Sequence, residues 1–301
     1  MTREVSVYIP AYNVESFLES CIQGIRQQTY PVKEILVVDD GSKDRTLELA
    51  EQFAKTSQSW KTPVRVLQHP QNRGLAAVRN TGVQNAQSDY IASLDADCVP
   101  QPDWLERLMP LFDREKMGGV SGKLVEKNQR KMADRWRAVH MQQYWNGNEI
   151  LIDPMHLFGN NTIFSRAALQ EVGFYKDTPE YRTNNEDYYI SRQLLYHGWH
   201  IAYDPDSVVY HLRTDTIYSL FRTYWRWFYL HRPRPDSKRG LWEKMKVNLQ
   251  YFRMFTKQDL TSPRWDILPA DVLFLIHQEY HDYQFALQER KKRREQRVSK
   301  S

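Results

Sequence analysis

Through the first third of the chain, short apolar runs rich in β-branched residues alternate with stretches whose apolar positions recur at helical spacing. Val5-Ser6-Val7-Tyr8-Ile9, Glu34-Ile35-Leu36-Val37-Val38, Val64-Arg65-Val66-Leu67 and Tyr90-Ile91-Ala92-Ser93-Leu94 have the length and composition of strands. Between them, Glu15 to Gln28, Asp44 to Lys55 and Leu75 to Ala86 read as helices. This β-α-β-α order predicts an α/β domain with a mostly parallel sheet and helices on both faces. Sheets of that kind bind ligands beyond the carboxyl ends of their strands. Polar clusters fall there: Pro10-Ala11-Tyr12-Asn13 after the first run, Asp39-Asp40-Gly41-Ser42 after the second, and Asp95-Ala96-Asp97 after the fourth. Each alone would serve as a turn. Their coincidence at one sheet edge points to a site.

Asp95 and Asp97 are the sharpest of these signals. Alternation along a strand turns both carboxylates to one side, where they can face one divalent cation and the phosphates it carries.

Composition narrows the class. With 301 residues, 41% hydrophobic and 26% charged, the chain can bury the core of one large domain with an appendage, and disorder is excluded for most of it. Two cysteines, Cys21 and Cys98, are too few for a disulfide framework or a cysteine metal site, which points to a reducing compartment. No signal peptide and no membrane-length apolar run is visible, so a cytoplasmic protein is expected, with peripheral contact at the inner face of a membrane left open. The formal charge of +5 is concentrated at the end: residues 290–301 hold seven Lys/Arg against Glu295 alone. The body is therefore near neutral, and a nucleic-acid partner is not expected.

Ile9-Pro10-Ala11-Tyr12-Asn13, Val37-Val38-Asp39-Asp40-Gly41-Ser42, Asn72-Arg73-Gly74 with Ala77-Val78-Arg79-Asn80, and Leu94-Asp95-Ala96-Asp97 together resemble the family 2 glycosyltransferases of GT-A fold. Gly159-Asn160-Asn161, Asn185-Glu186-Asp187 and His211 after Val208-Val209-Tyr210 continue the likeness over about the first 230 residues. The resemblance implies a Rossmann-like sheet with a helical C-terminal extension: residues 1–230 catalytic, 231–289 helical, 290–301 a basic, frayed or disordered tail. It also implies sugar transfer, with inversion, from a nucleotide-diphosphate sugar to an acceptor hydroxyl of a glycan or lipid-linked molecule, in polysaccharide, glycolipid or cell-envelope glycan synthesis.

Roles follow from the same resemblance. Pro10, Ala11, Tyr12, Asn13, Asp40, Arg79, Asp95 and Ala96 would bind the nucleotide sugar. Asp40 would accept from a base ring N–H, which suits uracil or thymine and so favours a UDP- or dTDP-sugar. Arg79 would orient the donor-site carboxylates. Asp97 and His211 would hold a divalent cation, Mn²⁺ being suited to the imidazole and Mg²⁺ remaining an alternative. Asp187 would be the general base, with Glu186 turned toward structure. Acids at a helix start are also favoured by the helix dipole alone. Two rival classes are a sugar-nucleotide nucleotidyltransferase, which should show a Gly-rich phosphate loop near the N-terminus, and a non-catalytic nucleotide-sugar-binding scaffold, which should show a damaged acidic site.

The segment Ile217 to Tyr229 is aromatic and basic together. It reads either as an amphipathic helix on a membrane surface or as a helix packed across the acceptor side of the catalytic domain, and packing is preferred. Processive polysaccharide synthases carry Gln or Arg, two residues, then Arg-Trp; here Thr223 stands at that spacing before Arg226-Trp227, so a non-processive enzyme is expected. Trp242, Met245, Leu249, Phe252 and Phe255, then Val272, Leu273, Ile276, Tyr280 and Phe285, continue the helical pattern in an acceptor-binding, membrane-apposing or oligomerising appendage.

Overall fold

The computed structural model describes residues 3–178, 181, 185–229, 241–262 and 264–298. In chain order the elements are β1 (Val5–Ala11), α1 (Leu18–Arg26), β2 (Val32–Asp39), α2 (Thr46–Thr56), β3 (Val64–Gln68), α3 (Leu75–Asn85), β4 (Tyr90–Leu94), β5 (Cys98–Pro100) and α4 (Trp104–Leu108). There follow β6 (Met117–Glu126), α5 (Met132–His140), β7 (Leu151–Ile152), β8 (Asn161–Ser165), α6 (Arg166–Val172), α7 (Glu186–Tyr196), β9 (His200–His211), α8 (Ile217–Tyr229), α9 (Leu241–Thr261) and α10 (Leu268–Val298). The described residues form two compact units, one of residues 1–127 and 143–213, the other of residues 128–142 and 214–301.

The first unit holds one sheet of order β3-β2-β1-β4-β8-β6-β9-β5, with β7 added on β9. Its first four strands are parallel, as the alternating pattern predicts. Beyond β4 the sheet is mixed: β8 runs antiparallel to both β4 and β6, while β6 and β9 are parallel. The parallel order thus ends where crossover helices stop separating the strands. Period-two alternation splits the core. Val7, Ile9, Ile35 and Val37 pack with Cys21, Ile22 and Trp104 on one face. Tyr8, Leu36 and Val38 pack with Val78, Val83, Ile190 and Leu194 on the other.

One irregularity sets the site. The β6–β9 register shifts between Gly122 and Lys123, passing from Asp204 to Val208 on the partner strand. A Cβ on Gly122 would lie 2.1 Å from the Ser207 carbonyl oxygen, so only glycine lets the chain bulge there. The new register brings Glu126 opposite His211.

The second unit is helical, built from α5, α8, α9 and α10 around Trp136, whose ring lies 5.1 Å from Phe221 and 5.3 Å from Phe255 between ring centres. Leu220, Phe221 and Tyr224 of α8 are buried in this core. That helix therefore groups with the helical unit, and the division falls at residue 213, not at the expected 230. α10 buries polar side chains beside the apolar Ala270 and Phe274. Asp271, Gln278 and Asp282 are buried, while Leu273, Ile276, Tyr280, Tyr283 and Leu287 are exposed. The buried polar groups are matched across helices: Trp225 Nε1 donates to Asp282 Oδ1 at 3.1 Å, and Asn248 Nδ2 to Asp282 Oδ2 at 3.1 Å. The basic run begins inside α10, which continues as helix to Val298. No helix among the described residues is long and apolar enough to cross a membrane.

Candidate active site

The expected site residues gather where β1, β2, β4 and β9 end. Pro10 and Ala11 close β1, and the Asp40 amide donates to the Ala11 carbonyl at 2.8 Å, tying the first two strand ends together. Asn13 completes the clasp: its Oδ1 accepts from the Lys43 amide at 2.8 Å and its amide donates to Ser42 Oγ at 3.0 Å. Tyr12 between them is exposed. The tyrosine ring is thus presented on a rigid double turn.

Asp40 has a structural task that its sequence context did not reveal. Its carboxylate is buried and accepts from His69 Nδ1 at 2.7 Å, the Arg73 amide at 2.9 Å and the Gly74 amide at 2.8 Å. It braces the loop that leads into α3, and Oδ2, with one protein donor, keeps acceptor capacity. Asp39 instead makes the turn, accepting at Oδ2 from the Gly41 and Ser42 amides.

Arg79 is no surface arginine. It is buried on α3, where Nε donates to Glu186 Oε1 at 3.0 Å, Nη1 to Ser93 Oγ, and Nη2 to Asp95 Oδ1 at 3.3 Å. One guanidinium thus holds the first carboxylate of the Asp-x-Asp pair and the first acid of Glu186-Asp187. Glu186 is buried, turned toward structure as expected. Burial pushes the Asp95 carboxyl up to about 6, with Arg79 opposing and Asp97 adding to the rise.

Asp97 and His211 meet: Oδ2 and Nε2 are 3.3 Å apart. Ala96 is buried between the two aspartates, and the Leu212 amide donates to the Asp97 carbonyl at 2.8 Å, fastening the loop to the end of β9. The other imidazole nitrogen, Nδ1, lies 2.8 Å from Glu126 Oε2. Glu126 was not foreseen. The two residues are 85 positions apart in sequence, and the β6–β9 register brings them together. Burial would lower the imidazole, but Asp97 and Glu126 outweigh it and raise it to about 9.

A carboxylate, an imidazole and a second carboxylate gripping the far ring nitrogen form a donor set that suits a divalent cation. Asp97 and His211 would hold it. Asp95 is committed to Arg79 and stands outside the close pair.

Asp187 stands in the first turn of α7, partly buried, beside the Gly159 loop: Oδ2 accepts from the Gly159 amide at 3.1 Å and Oδ1 from the Tyr188 amide at 2.8 Å. A Cβ on Gly159 would lie 2.9 Å from Arg79 Nη2 and 3.1 Å from the Asp187 Cβ, so glycine lets this loop close over both. The Asn160 carbonyl accepts from the Asp95 amide at 3.1 Å, linking the same loop to the Asp-x-Asp strand end. Arg79, Asp95 and Asp187 therefore share one neighbourhood with the Asp97–His211 pair, while Tyr12, Asn13 and Asp40 occupy the adjacent strand ends.

A sheet with acidic strand ends, a carboxylate–imidazole pair and a second acid at a helix start is the arrangement that the resemblance to GT-A glycosyltransferases leads one to expect. Comparison with known proteins makes this specific. Residues 6–173 match the profile described as glycosyl transferase family 2, and residues 90–276 match that of glycosyl transferase family group 2. The chain belongs to glycosyl transferase family 2. It is 26% identical over 266 residues to a poly-beta-1,6-N-acetyl-D-glucosamine synthase of Staphylococcus epidermidis, covering 87% of this chain and 62% of that protein. Against other curated glycosyltransferases that it matches, the chain spans about a third of their length. Among solved structures it is similar to the mannosyltransferase PcManGT of Pyrobaculum calidifontis in complex with GDP-Man and Mn²⁺, with TM-score 0.60 and 19% identity over 92% of this chain and 86% of that one. It is also similar to S. aureus TarS in complex with UDP-GlcNAc, with TM-score 0.53 and 18% identity over 73% of this chain and 64% of that one. At these identities the structures speak for the fold, which is GT-A. Membership of this family speaks against the nucleotidyltransferase reading.

Proposed function

We propose that the chain is a metal-dependent, inverting and non-processive glycosyltransferase that moves a sugar from a nucleotide diphosphate to an acceptor hydroxyl of a glycan or lipid-linked molecule. The observation that carries this reading is the Asp97–His211 pair, 3.3 Å apart and backed by Glu126, on the same strand-end edge as Arg79 and Asp95. When bound there, a divalent cation, Mn²⁺ or Mg²⁺, would neutralise charge accumulating on the diphosphate leaving group. Arg79 orients Asp95 toward the donor, leaving one Asp95 oxygen for it. Tyr12, on its clasped turn, offers a ring face to the base, and Asp40 a carboxylate oxygen to a base N–H, which favours UDP or dTDP. Asp187, its carboxylate aimed by the Gly159 and Tyr188 amides, takes the acceptor proton as the hydroxyl attacks. A single base opposite the leaving group gives inversion.

Support for donor and metal comes from the similar proteins: PcManGT is described with GDP-Man and Mn²⁺ and TarS with UDP-GlcNAc, while the staphylococcal relative is a polysaccharide synthase. Polysaccharide or cell-envelope glycan synthesis is the matching context. The test is incubation with a panel of nucleotide sugars and Mn²⁺ or Mg²⁺, reading nucleoside diphosphate release by transfer or slow hydrolysis. Metal-dependent release with one donor supports the reading. Release that is equally fast in chelator, or absent with every donor in the panel, contradicts it.

A further inference from the structure

The helical unit contains a second cluster of ligating side chains that the transferase chemistry does not use. His140 ends α5, Asp259 lies two residues before the end of α9, and Asp271 sits in the first turn of α10. One ligating atom from each lies within 4.8 Å of the others. Both aspartates are fully buried, and so is the His140 side chain at 1% exposure. We propose that His140, Asp259 and Asp271 form a structural site for a divalent transition-metal ion, of the Zn²⁺ or Mn²⁺ class, clamping three helix ends together.

Hydrogen bonding leaves the cluster incomplete. Asp259 Oδ2 lies 3.0 Å from His140 Nε2, and Asp271 Oδ1 accepts from Trp136 Nε1 at 2.8 Å. His140 Nδ1, Asp259 Oδ1 and Asp271 Oδ2 are buried without a partner. Buried polar atoms left unpaired are costly unless a further group satisfies them. The surroundings sharpen the need: the His140 ring lies 4.4 Å from Phe255 and 4.9 Å from Trp136 between ring centres, so little solvent is there to help.

Charge points to a cation. Two carboxylates and one imidazole face each other, and Asp259 stands near the C-terminus of its helix, where the backbone dipole disfavours a negative group. Arg264 contributes positive charge to Asp259 and Asp266 opposes it, so the nearby surface charges do not settle the balance alone. An imidazole nitrogen with two carboxylate oxygens suits borderline first-row ions better than Mg²⁺ or Ca²⁺, which prefer all-oxygen shells. The Thr256 hydroxyl, one turn before Asp259, is also buried and interacts with the Asp271 carboxylate, offering a fourth, neutral donor.

The experiment uses the full chain, dialysed against chelator and then titrated with Zn²⁺ alone, reading bound metal after desalting and the thermal unfolding temperature. To separate this site from the strand-end pair, the titration is run on wild type and on Asp97→Asn. The expected result is one tightly bound equivalent retained in Asp97→Asn, with a saturable rise in unfolding temperature, and loss of both in Asp97→Asn combined with His140→Gln. Should that combination not fold, cobalt replaces zinc in Asp97→Asn: the visible spectrum of a low-symmetry nitrogen–oxygen site is expected, and that of the hexaaquo ion would overturn the proposal. Uptake unchanged by His140→Gln, or no tight uptake by Asp97→Asn, would overturn it too.

Discussion

Replacing Asp187 by Asn keeps the side chain's shape and removes its basicity. In the native chain both oxygens accept, one from the Gly159 amide and one from the Tyr188 amide. An Asn offers one acceptor and a donating NH₂, so one of those amides is left facing another donor. At a partly buried position, losing one such bond costs about 1 kcal/mol, which lowers the unfolding temperature by about 2–4 °C. Loss of a general base costs about 10²- to 10⁴-fold in rate, or about 3–5 kcal/mol of barrier at about 1.36 kcal/mol per decade. The chemical loss therefore outweighs the structural one, and donor binding should move little because Arg79, Asp97 and the strand-end clasp are untouched. Calorimetric donor binding and single-turnover transfer, run side by side with Mn²⁺, separate the effects. Transfer at near wild-type rate would refute the assignment of the base. Donor binding that falls in step with transfer would move Asp187 into the donor site instead.

Arg79→Met removes the cation that bridges Asp95 and Glu186, and breaking a buried pair of this kind costs about 3–5 kcal/mol; thermal unfolding should drop by on the order of 10 °C, and an unchanged midpoint would show the network to be idle. Glu126→Gln keeps the shape but loses the charge behind His211, so Mn²⁺ affinity measured with a nucleoside diphosphate present should fall about 10- to 100-fold, while equal affinity would detach Glu126 from the site. His277 in the helical unit is partly buried with Nε2 unpaired, and burial lowers it to about 4 from its ordinary 6.5, His281 adding to the drop. The unfolded chain then binds the extra proton between those values, so stability present above pH 6.5 is lost as pH falls toward 4, by roughly 1–2 kcal/mol after allowing for screening; His277→Gln should shallow that slope in denaturant melts across the window, and an identical slope would contradict it.

The sheet's parallel half was legible because each strand is a contiguous β-branched run and each crossover a helix-period stretch, as β1 to β4 bear out. Beyond β4 local pattern stops deciding partners. That β8 runs back antiparallel is recorded in no local pattern, and that Glu126 reaches His211 depends on a bulge where one glycine packs against Ser207, a contact between residues 85 positions apart. The Asp-x-Asp pair was readable as a motif, and so was Arg79, but the three donors that brace Asp40 come from a loop whose path no periodicity records. The helical unit was least legible. α5 joins it from about 75 residues upstream of α8, and α10 buries Asp271, Gln278 and Asp282 alongside Phe274 while exposing Leu273, Ile276 and Tyr280, so its buried face is not a simple apolar stripe.

The central claim is that Asp97 and His211 hold a divalent cation that anchors a nucleoside diphosphate. It is tested most directly by titrating UDP, dTDP and GDP into the full chain with and without Mn²⁺, in wild type, Asp97→Asn and His211→Ala. The account predicts that Mn²⁺ tightens binding of the preferred diphosphate in wild type, that Asp97→Asn abolishes the enhancement, and that His211→Ala reduces it. Mn²⁺ enhancement of equal size in Asp97→Asn and wild type would contradict it.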